Sequence, residues 1–209
     1  MNYLAHAFLG SHSEAELVGQ LIADEIKGRQ FERYPRDLAI GIQMHRWIDH
    51  TTDESLHLSN IKQTLRPVTG KFTGIALDVI MDHFLSIHWN RYHPLPLSEF
   101  ISHVYTTLVK YRAYWTPMGT YRLEKMIEQN WLERYRTLEG IELTMRQMTI
   151  RKPILKPLLE TQQLIENHRI ELDQAFHLLI HDLIVGYKSK INTFATLPPE
   201  SMYKDGQAK

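Results

Sequence analysis

Two carboxylates and an imidazole interrupt an apolar run near the middle of the chain. Asp78, Asp82 and His83 lie within residues 74–87, where a buried helix would normally carry aliphatic side chains. The two aspartates are four residues apart, so on a helix they share one face. A charge in an apolar wall is costly unless another group pairs with it or binds it. The pattern favours a divalent cation, and the alternative is a buried carboxylate paired with an arginine such as Arg46.

Residues 41–53 offer a second set of ligands. His45 and Asp49 are spaced i, i+4, and Asp53 falls one turn further if the helix continues. Arg46 points about one-third of a turn away, where its guanidinium could hold a phosphate in a bidentate grip. The pattern allows a metal or phosphate site, and the alternative is an ordinary solvated helix end.

Asp24 and His6 are further polar residues in apolar surroundings. Asp24 follows an apolar triplet near the predicted end of a helix, where the helix dipole disfavours an acid. Its partner is therefore Lys27 in an i, i+3 surface pair, or else a metal or Arg46. His6 is either a hydrogen-bonded core residue or a ligand. Three separated segments with misplaced histidines or aspartates together favour a metal site built from helices.

The composition limits the partners of the protein, the ligands available for a metal and the place of the site in the chain. The 209 residues include 24 basic and 24 acidic ones, so no overall field favours nucleic acid or an anionic membrane. The chain has no cysteine, which excludes disulfides, thiolate zinc sites and a cysteine nucleophile. Eight of the 12 histidines fall in the first 93 residues, so the site is expected in the N-terminal half. Histidine and carboxylate ligands suit Mn²⁺, Mg²⁺ or Fe²⁺.

The chain shows no targeting or membrane signal. Its N-terminus has no basic segment before an apolar run, unlike a signal peptide. The longest purely apolar runs are too short to span a membrane. We therefore expect a cytoplasmic protein with no membrane partner.

Helical periodicity runs through most of the chain. Apolar residues recur at spacings of three and four, and alternating strand patterns of useful length are absent. This predicts an all-α fold with a single helical domain over residues 1–197 and a polar tail over 198–209. The predicted helices cover roughly 2–10, 14–27, 36–49, 54–65, 71–91, 97–114, 120–135, 139–149, 153–166 and 168–193.

A competing histidine pair lies near the C-terminus. His177 and His181 are spaced i, i+4, and Asp182 follows directly. If these residues formed the metal site, the N-terminal cluster would be structural. Two histidines on an amphipathic helix more often pack or face water, so the N-terminal site is preferred.

Positive charge is concentrated in a stretch that holds no acid. Four basic residues lie between Glu142 and Glu160, and prolines hold the stretch at the surface. Such a patch on a neutral protein steers an acidic partner, and the alternative is an ordinary solvated face. The candidate partner-binding residues are Arg146, Arg151, Lys152 and Lys156.

The order and spacing of these motifs resemble the acyl carrier protein phosphodiesterase family over about residues 1 to 160. The last fifty residues match only loosely, and the His181–Asp182 dipeptide is not part of the family pattern. The matching segments are Asn2-Tyr3-Leu4-Ala5-His6, Leu21 to Gly28, Gly41 to Asp53, Leu77 to Trp89, Trp131 to Arg136, and Met148 to Pro153.

The resemblance implies a bundle similar to the HD-type phosphohydrolases, dependent on manganese or magnesium. It also implies removal of the 4′-phosphopantetheine arm from holo acyl carrier protein, with Asp24 needed for activity. The implied metal and phosphate ligands are His6, Asp24, His45, Asp49, Asp78, Asp82 and His83.

The implied mechanism is metal-assisted hydrolysis of a phosphodiester. A metal-activated hydroxide would attack phosphorus, and His45 or His83 would protonate the leaving serine oxygen. Arg46 or Lys27 would stabilise the developing charge. The alternatives are a phosphohydrolase acting on a nucleotide or another small phosphoester, and a helical binding module without catalytic activity.

Overall fold

A computed structural model describes residues 1–196 of the chain. These residues form helices joined by turns, and no strand occurs among them. The predicted all-α fold is therefore confirmed. The predicted tail at 198–209 lies outside the described residues. Within residues 1–196, no helix combines the length and the apolar character that crossing a membrane requires.

The N-terminal half contains the helices that carry most of the candidate ligands. Helix α1 is short, and the side chain of Ser13 caps α2 by accepting a hydrogen bond from the backbone of Glu16 at 3.2 Å. A 3₁₀ turn over Ala23–Glu25 follows α2 directly. The helices are α1 (Tyr3–Leu9), α2 (Glu14–Ile22), α3 (Arg36–Asp53), α4 (Ser59–Thr69), α5 (Thr73–Ile87) and α6 (Trp89–Tyr92).

The C-terminal half packs around this group and ends in one long helix. Thr116 and Thr137 cap α8 and α10 through their side chains. The helices are α7 (Leu97–Lys110), α8 (Pro117–Glu128), α9 (Trp131–Arg134), α10 (Leu138–Arg151), α11 (Thr161–Asn167) and α12 (Arg169–Thr196).

Several predicted helices are broken in the structure, and in two of them a particular residue explains the break. The helix predicted over 120–135 is interrupted at Asn130, whose φ of 48° is left-handed. The helix predicted over 153–166 is a 3₁₀ segment over Pro153–Glu160 followed by α11. Pro157 lacks the backbone N–H that a regular α-helix would use there.

Glycines bring α2 and α3 into close contact. A Cβ atom at Gly19 would lie 2.3 Å from the Leu38 carbonyl oxygen, and one at Gly41 would lie 2.3 Å from the Glu16 carbonyl oxygen. Only glycine allows this approach, because any larger residue would collide with backbone. The contact packs residues 16–19 of α2 against residues 38–42 in the first turns of α3. Helix α3 continues to Asp53, four residues beyond the predicted end.

Asp82 anchors α1 to α5. Its buried carboxylate accepts hydrogen bonds from the backbone N–H groups of Asn2 at 3.2 Å, Leu4 at 2.7 Å and Ala5 at 3.2 Å. These are the unpaired donors at the start of α1, where the helix dipole also favours a negative charge. The cap fixes α1 against α5 and thereby positions His6.

Candidate active site

A polar cavity of about 230 Å³ opens where α1, α3 and α5 meet the end of α2. We call it the small cavity. Acids and histidines from α1, α3, α5 and the 3₁₀ turn after α2 reach its wall, although they are far apart in sequence. Its lining residues are Met1, Asn2, Tyr3, His6, Asp24, His45, Asp49, Asp53 and Asp78.

Two histidines share one carboxylate in the wall of this cavity. Nε2 of His6 lies 3.0 Å from one oxygen of Asp49, and Nε2 of His45 lies 3.1 Å from the other. The two imidazole rings are stacked with their centroids 3.9 Å apart. The three side chains offer ligand atoms that all lie within 4.8 Å of one another. These three side chains therefore form a candidate metal-binding group.

A buried hydrogen-bond chain determines which nitrogen of His6 carries its proton. Nδ1 of His6 lies 3.0 Å from Oε1 of Gln20, whose Nε2 donates to the Tyr187 hydroxyl at 3.1 Å. The Tyr187 hydroxyl in turn donates to Glu16. Because Oε1 of Gln20 can only accept, the proton of neutral His6 is on Nδ1 and its Nε2 has a free lone pair.

Neutral His6 is the form present near pH 7. Burial, together with the charge of His45, lowers the pKa of His6 to about 4. Its free lone pair at Nε2 therefore faces an Asp49 oxygen at 3.0 Å, and two acceptors so placed repel each other. A cation between them would remove the repulsion. A histidine that donates its other N–H to an acceptor is also the usual form of a metal ligand.

His45 lies between two carboxylates. Its Nε2 is 3.2 Å from Asp24 and 3.1 Å from Asp49, while its buried Nδ1 has no partner. Burial opposes the charged ring, but hydrogen bonds to the two carboxylates prevail and raise the pKa of His45 to about 9. Burial likewise opposes the charged carboxylates, but His45 lowers the pKa of Asp49, and His45 and Arg122 lower that of Asp24. Both acids remain ionised.

Arg122 supplies a positive charge that the sequence pattern did not reveal. Its guanidinium donates to Asp24 at 2.6 Å, to the Tyr3 hydroxyl at 3.1 Å and to the Leu21 carbonyl at 3.2 Å. It also lies 3.3 Å from Glu25. Asp24 therefore pairs with Arg122 and His45, not with the predicted candidates Lys27 or Arg46. No local spacing signals this, because Arg122 lies 98 positions away on α8.

Asp78 lines the small cavity. Its partner is not an arginine such as Arg46, which the sequence suggested. Its carboxylate accepts a hydrogen bond from the α-amino group of Met1 at 2.8 Å, and that group lies 4.0 Å from Asp49. Burial raises the pKa of Asp78, and the amino group opposes the shift. Asp78 therefore lies beside the candidate ligands.

Asp82 and His83 point away from the small cavity. Three backbone N–H groups of α1 occupy the Asp82 carboxylate, and burial raises its pKa to about 7 against the pull of these donors. His83 donates from Nδ1 to the Tyr135 carbonyl at 2.7 Å. The structure therefore brings Asp78 to the other candidate ligands but leaves Asp82 and His83 in structural positions.

Arg46 and Lys27 also lie outside the small cavity. The Arg46 guanidinium donates to the carbonyls of Ile26 at 2.6 Å and Gly28 at 2.7 Å, and it lies over the ring of Phe31. It thus holds the turn after α2. Lys27 is exposed on that turn. Neither side chain faces the ligands.

The C-terminal histidines belong to different contacts. His177 lies near His88 and Asp173, and these three side chains offer a second, half-exposed group of ligand atoms. Asp182 pairs with His57 at 2.9 Å on the surface, while His181 is exposed. The predicted grouping of His177, His181 and Asp182 therefore does not form.

The basic stretch borders a second cavity of about 540 Å³, which we call the large cavity. Arg151 and Lys152 line it, together with Arg122 and Arg134 from other helices. Arg146 instead pairs with Glu142 at 2.7 Å, and Lys156 is exposed on the following segment. The large cavity shares Asn2, Tyr3 and Asp78 with the small cavity.

The sequence of the whole chain was compared with those of known proteins. The profile described as acyl carrier protein phosphodiesterase matches residues 1–183. The chain belongs to this family. The family resemblance is thereby confirmed, and the match extends beyond residue 160 into α12.

Curated relatives agree with the family assignment. An acyl carrier protein phosphodiesterase of Enterobacter sp. (strain 638) is 34% identical over 191 residues, covering 91% of this chain and 99% of the relative. One of Klebsiella pneumoniae subsp. pneumoniae is 34% identical over 177 residues, covering 84% and 92%. One of Salmonella agona is 32% identical with the same coverage. No solved structure matches the chain significantly.

Proposed function

We propose that the protein hydrolyses the phosphodiester that links 4′-phosphopantetheine to the serine of holo acyl carrier protein. The observation that carries this proposal is the pair of stacked histidines around Asp49 in the small cavity. Membership of a family whose curated relatives are named for this activity supplies the substrate. The products are apo carrier protein and free 4′-phosphopantetheine.

The residues present fit a divalent metal. His6, His45 and Asp49 would hold it, with Asp24 and Asp78 at the edge of the site. Nitrogen and oxygen donors without a thiolate favour Mn²⁺, with Mg²⁺ or Fe²⁺ as alternatives. When bound, such an ion lowers the pKa of a water molecule and neutralises phosphoryl oxygens.

The chain's own residues orient the ligands and the substrate. Asp24 remains ionised and accepts a hydrogen bond from Arg122, which fixes its carboxylate 3.2 Å from Nε2 of His45. Arg122 is the guanidinium nearest the acids of the small cavity, so it takes the charge-stabilising role that the sequence suggested for Arg46 or Lys27. In the hydrolysis a water oxygen bonds to phosphorus, the bond from phosphorus to the serine oxygen breaks, and that oxygen takes up a proton.

Positive charge around the large cavity supports a protein substrate. Arg134 donates to Gln147 at 2.7 Å, and Arg151 lies over the ring of Trp131. Among residues 1–196, neither arginine forms an ion pair with a carboxylate. Together with Lys152 they could contact acids on a carrier protein, whereas Arg146 is already paired with Glu142.

Mass spectrometry of the substrate tests the proposal. Holo carrier protein incubated with the enzyme and Mn²⁺ should lose the mass of one phosphopantetheine. Asp24→Ala should lower the rate by about 10²-fold or more, since oriented electrostatic groups are worth that much. Asp37→Asn, an exposed change on α3, is the matched control and should retain the rate. An intact arm with wild type, or full activity in Asp24→Ala, would refute the assignment.

A further inference from the structure

We propose that the large cavity binds the distal, thiol-bearing end of the phosphopantetheine arm and the start of any acyl chain it carries. This inference rests on the proposed function. It makes the side chains of the large cavity, above all Met148, the residues that determine which loaded arms the enzyme accepts.

The lining of the large cavity suits an apolar, extended ligand. Side chains from α5, α9, α10 and the 3₁₀ segments near Phe72 and Ile154 enclose about 540 Å³. This volume lies within the range of about 300–1,000 Å³ that is usual for small-molecule sites. The apolar lining residues are Phe72, Ile75, Trp131, Met148, Ile154 and Leu155.

The two cavities are contiguous. Asn2, Tyr3 and Asp78 form part of the wall of both. A ligand whose phosphoryl group lies beside His6 and Asp49 can therefore extend past these three residues into the large cavity. The polar small cavity matches the phosphate end of the arm, and the apolar large cavity matches its distal end.

Aromatic contacts give the shared wall a defined shape. The Tyr3 and Trp131 rings lie 6.3 Å apart, Arg122 lies 5.4 Å from the Tyr3 ring, and Arg151 lies 5.3 Å from the Trp131 ring. A cation over an aromatic face is attracted by the ring. This arrangement presents an apolar surface with positive charge at its edge, next to the path proposed for the arm.

Kinetic comparison of two loaded carrier proteins tests this inference. One carries the bare arm and the other carries the arm with an octanoyl thioester. In wild type, kcat/KM should be at least about tenfold higher for the octanoyl form, because the cavity removes its apolar chain from water. Met148→Trp fills the cavity and should reduce this ratio to about one. Leu143→Trp, an exposed change on the same helix, is the matched control and should preserve it.

Inhibition by small compounds tests the proposed binding in the large cavity without a variant. S-octanoyl pantetheine, which lacks both phosphate and carrier protein, should inhibit wild type at least about tenfold more strongly than pantetheine. Equal inhibition by the two compounds, or an unchanged octanoyl preference in a folded Met148→Trp protein, would overturn the inference. If wild type releases no arm from either carrier protein, the proposed function fails. Calorimetric binding of S-octanoyl pantetheine would then still report on the large cavity.

Discussion

At the scale of single residues, the site depends on how buried groups orient the His6 ring. Gln20 accepts a hydrogen bond from the Nδ1–H group of His6, and Tyr187 and Glu16 hold Gln20 in place. These hydrogen bonds leave the free lone pair of His6 Nε2 directed toward Asp49. The nitrogen that would bind a metal is thus selected by residues that never touch the metal.

Replacing Gln20 tests this positioning role. Gln20→Leu removes the acceptor for Nδ1, so His6 no longer favours the tautomer with a free Nε2. We expect Mn²⁺ affinity to fall about 10- to 100-fold, as is usual when the group that orients a ligand is lost. Calorimetric Mn²⁺ titration measures it. Gln43→Leu, a half-buried change on α3, is the control. Unchanged affinity in folded Gln20→Leu would refute the role.

Glu16 predicts a pH dependence of stability. Burial raises its pKa from 4.5 in the unfolded chain to about 7 in the folded protein, although the hydrogen bond from Tyr187 opposes the shift. The folded state therefore binds the proton more tightly, and this stabilisation is complete below pH 4.5. It is lost as the pH rises through about 7.

Glu16→Gln removes this titration while leaving an oxygen that can accept from Tyr187. The unfolding free energy of the variant relative to wild type should rise by about 2 kcal/mol between pH 5 and pH 8. Urea unfolding at the two pH values measures the change. Glu14→Gln, partly exposed on the same helix, is the control. If the unfolding free energies of Glu16→Gln and wild type changed equally between pH 5 and pH 8, the expectation would be contradicted.

At the scale of elements, α5 fixes the start of α1, the helix that carries the candidate ligand His6. Asp82 connects the two helices through three backbone donors, and His6 lies one turn into α1. The sequence identified Asp82 as a charge that needs a partner. It could not reveal that the partner is a helix start 77 to 80 residues away, because capping by a distant carboxylate leaves no local spacing.

Asp82→Ala should therefore act through stability. It leaves buried N–H groups of α1 without an acceptor, and we expect a loss of about 3 kcal/mol in the free energy of unfolding. Chemical denaturation measures it. Asp82→Asn keeps one acceptor oxygen and should lose less. A Asp82→Ala protein with wild-type stability would show that the cap does not hold α1.

The helices were largely predictable from the sequence, but the contacts between them were not. Apolar periodicity predicted the helices, and the i, i+4 spacing of His45 and Asp49 predicted a shared face. Arg122 and Gln20 were missed because their roles depend on helices packed together from distant parts of the chain. Local pattern determines a helix face, but only packing determines what that face meets.

At the scale of the whole molecule, a chain with balanced charge presents a local positive surface beside its site. Arg151 and Lys152 line the large cavity, whereas Arg146 on the same helix is neutralised by Glu142. The sequence indicated this basic stretch but could not separate the residues facing the cavity from those facing solvent.

Charge reversal tests whether the positive surface beside the large cavity binds the carrier protein. The double variant Arg151→Glu with Lys152→Glu should raise KM for holo carrier protein about tenfold or more and weaken its salt dependence, because attraction between the partners is lost. Steady-state kinetics at two salt concentrations measure both. Arg146→Glu is the control and should change KM much less. Equal effects of the two charge reversals would contradict a docking role for the cavity edge.

The most direct test of the central claim is the metal dependence of arm removal by wild type and Asp49→Asn. Protein freed of metal by chelation should release no phosphopantetheine from holo carrier protein, and added Mn²⁺ should restore release with saturation. Asp49→Asn should remain folded yet be slower by about 10³-fold, since metal-ion catalysis supplies several kcal/mol of stabilisation. Full activity of the chelated wild type, or of Asp49→Asn with Mn²⁺, would contradict the account.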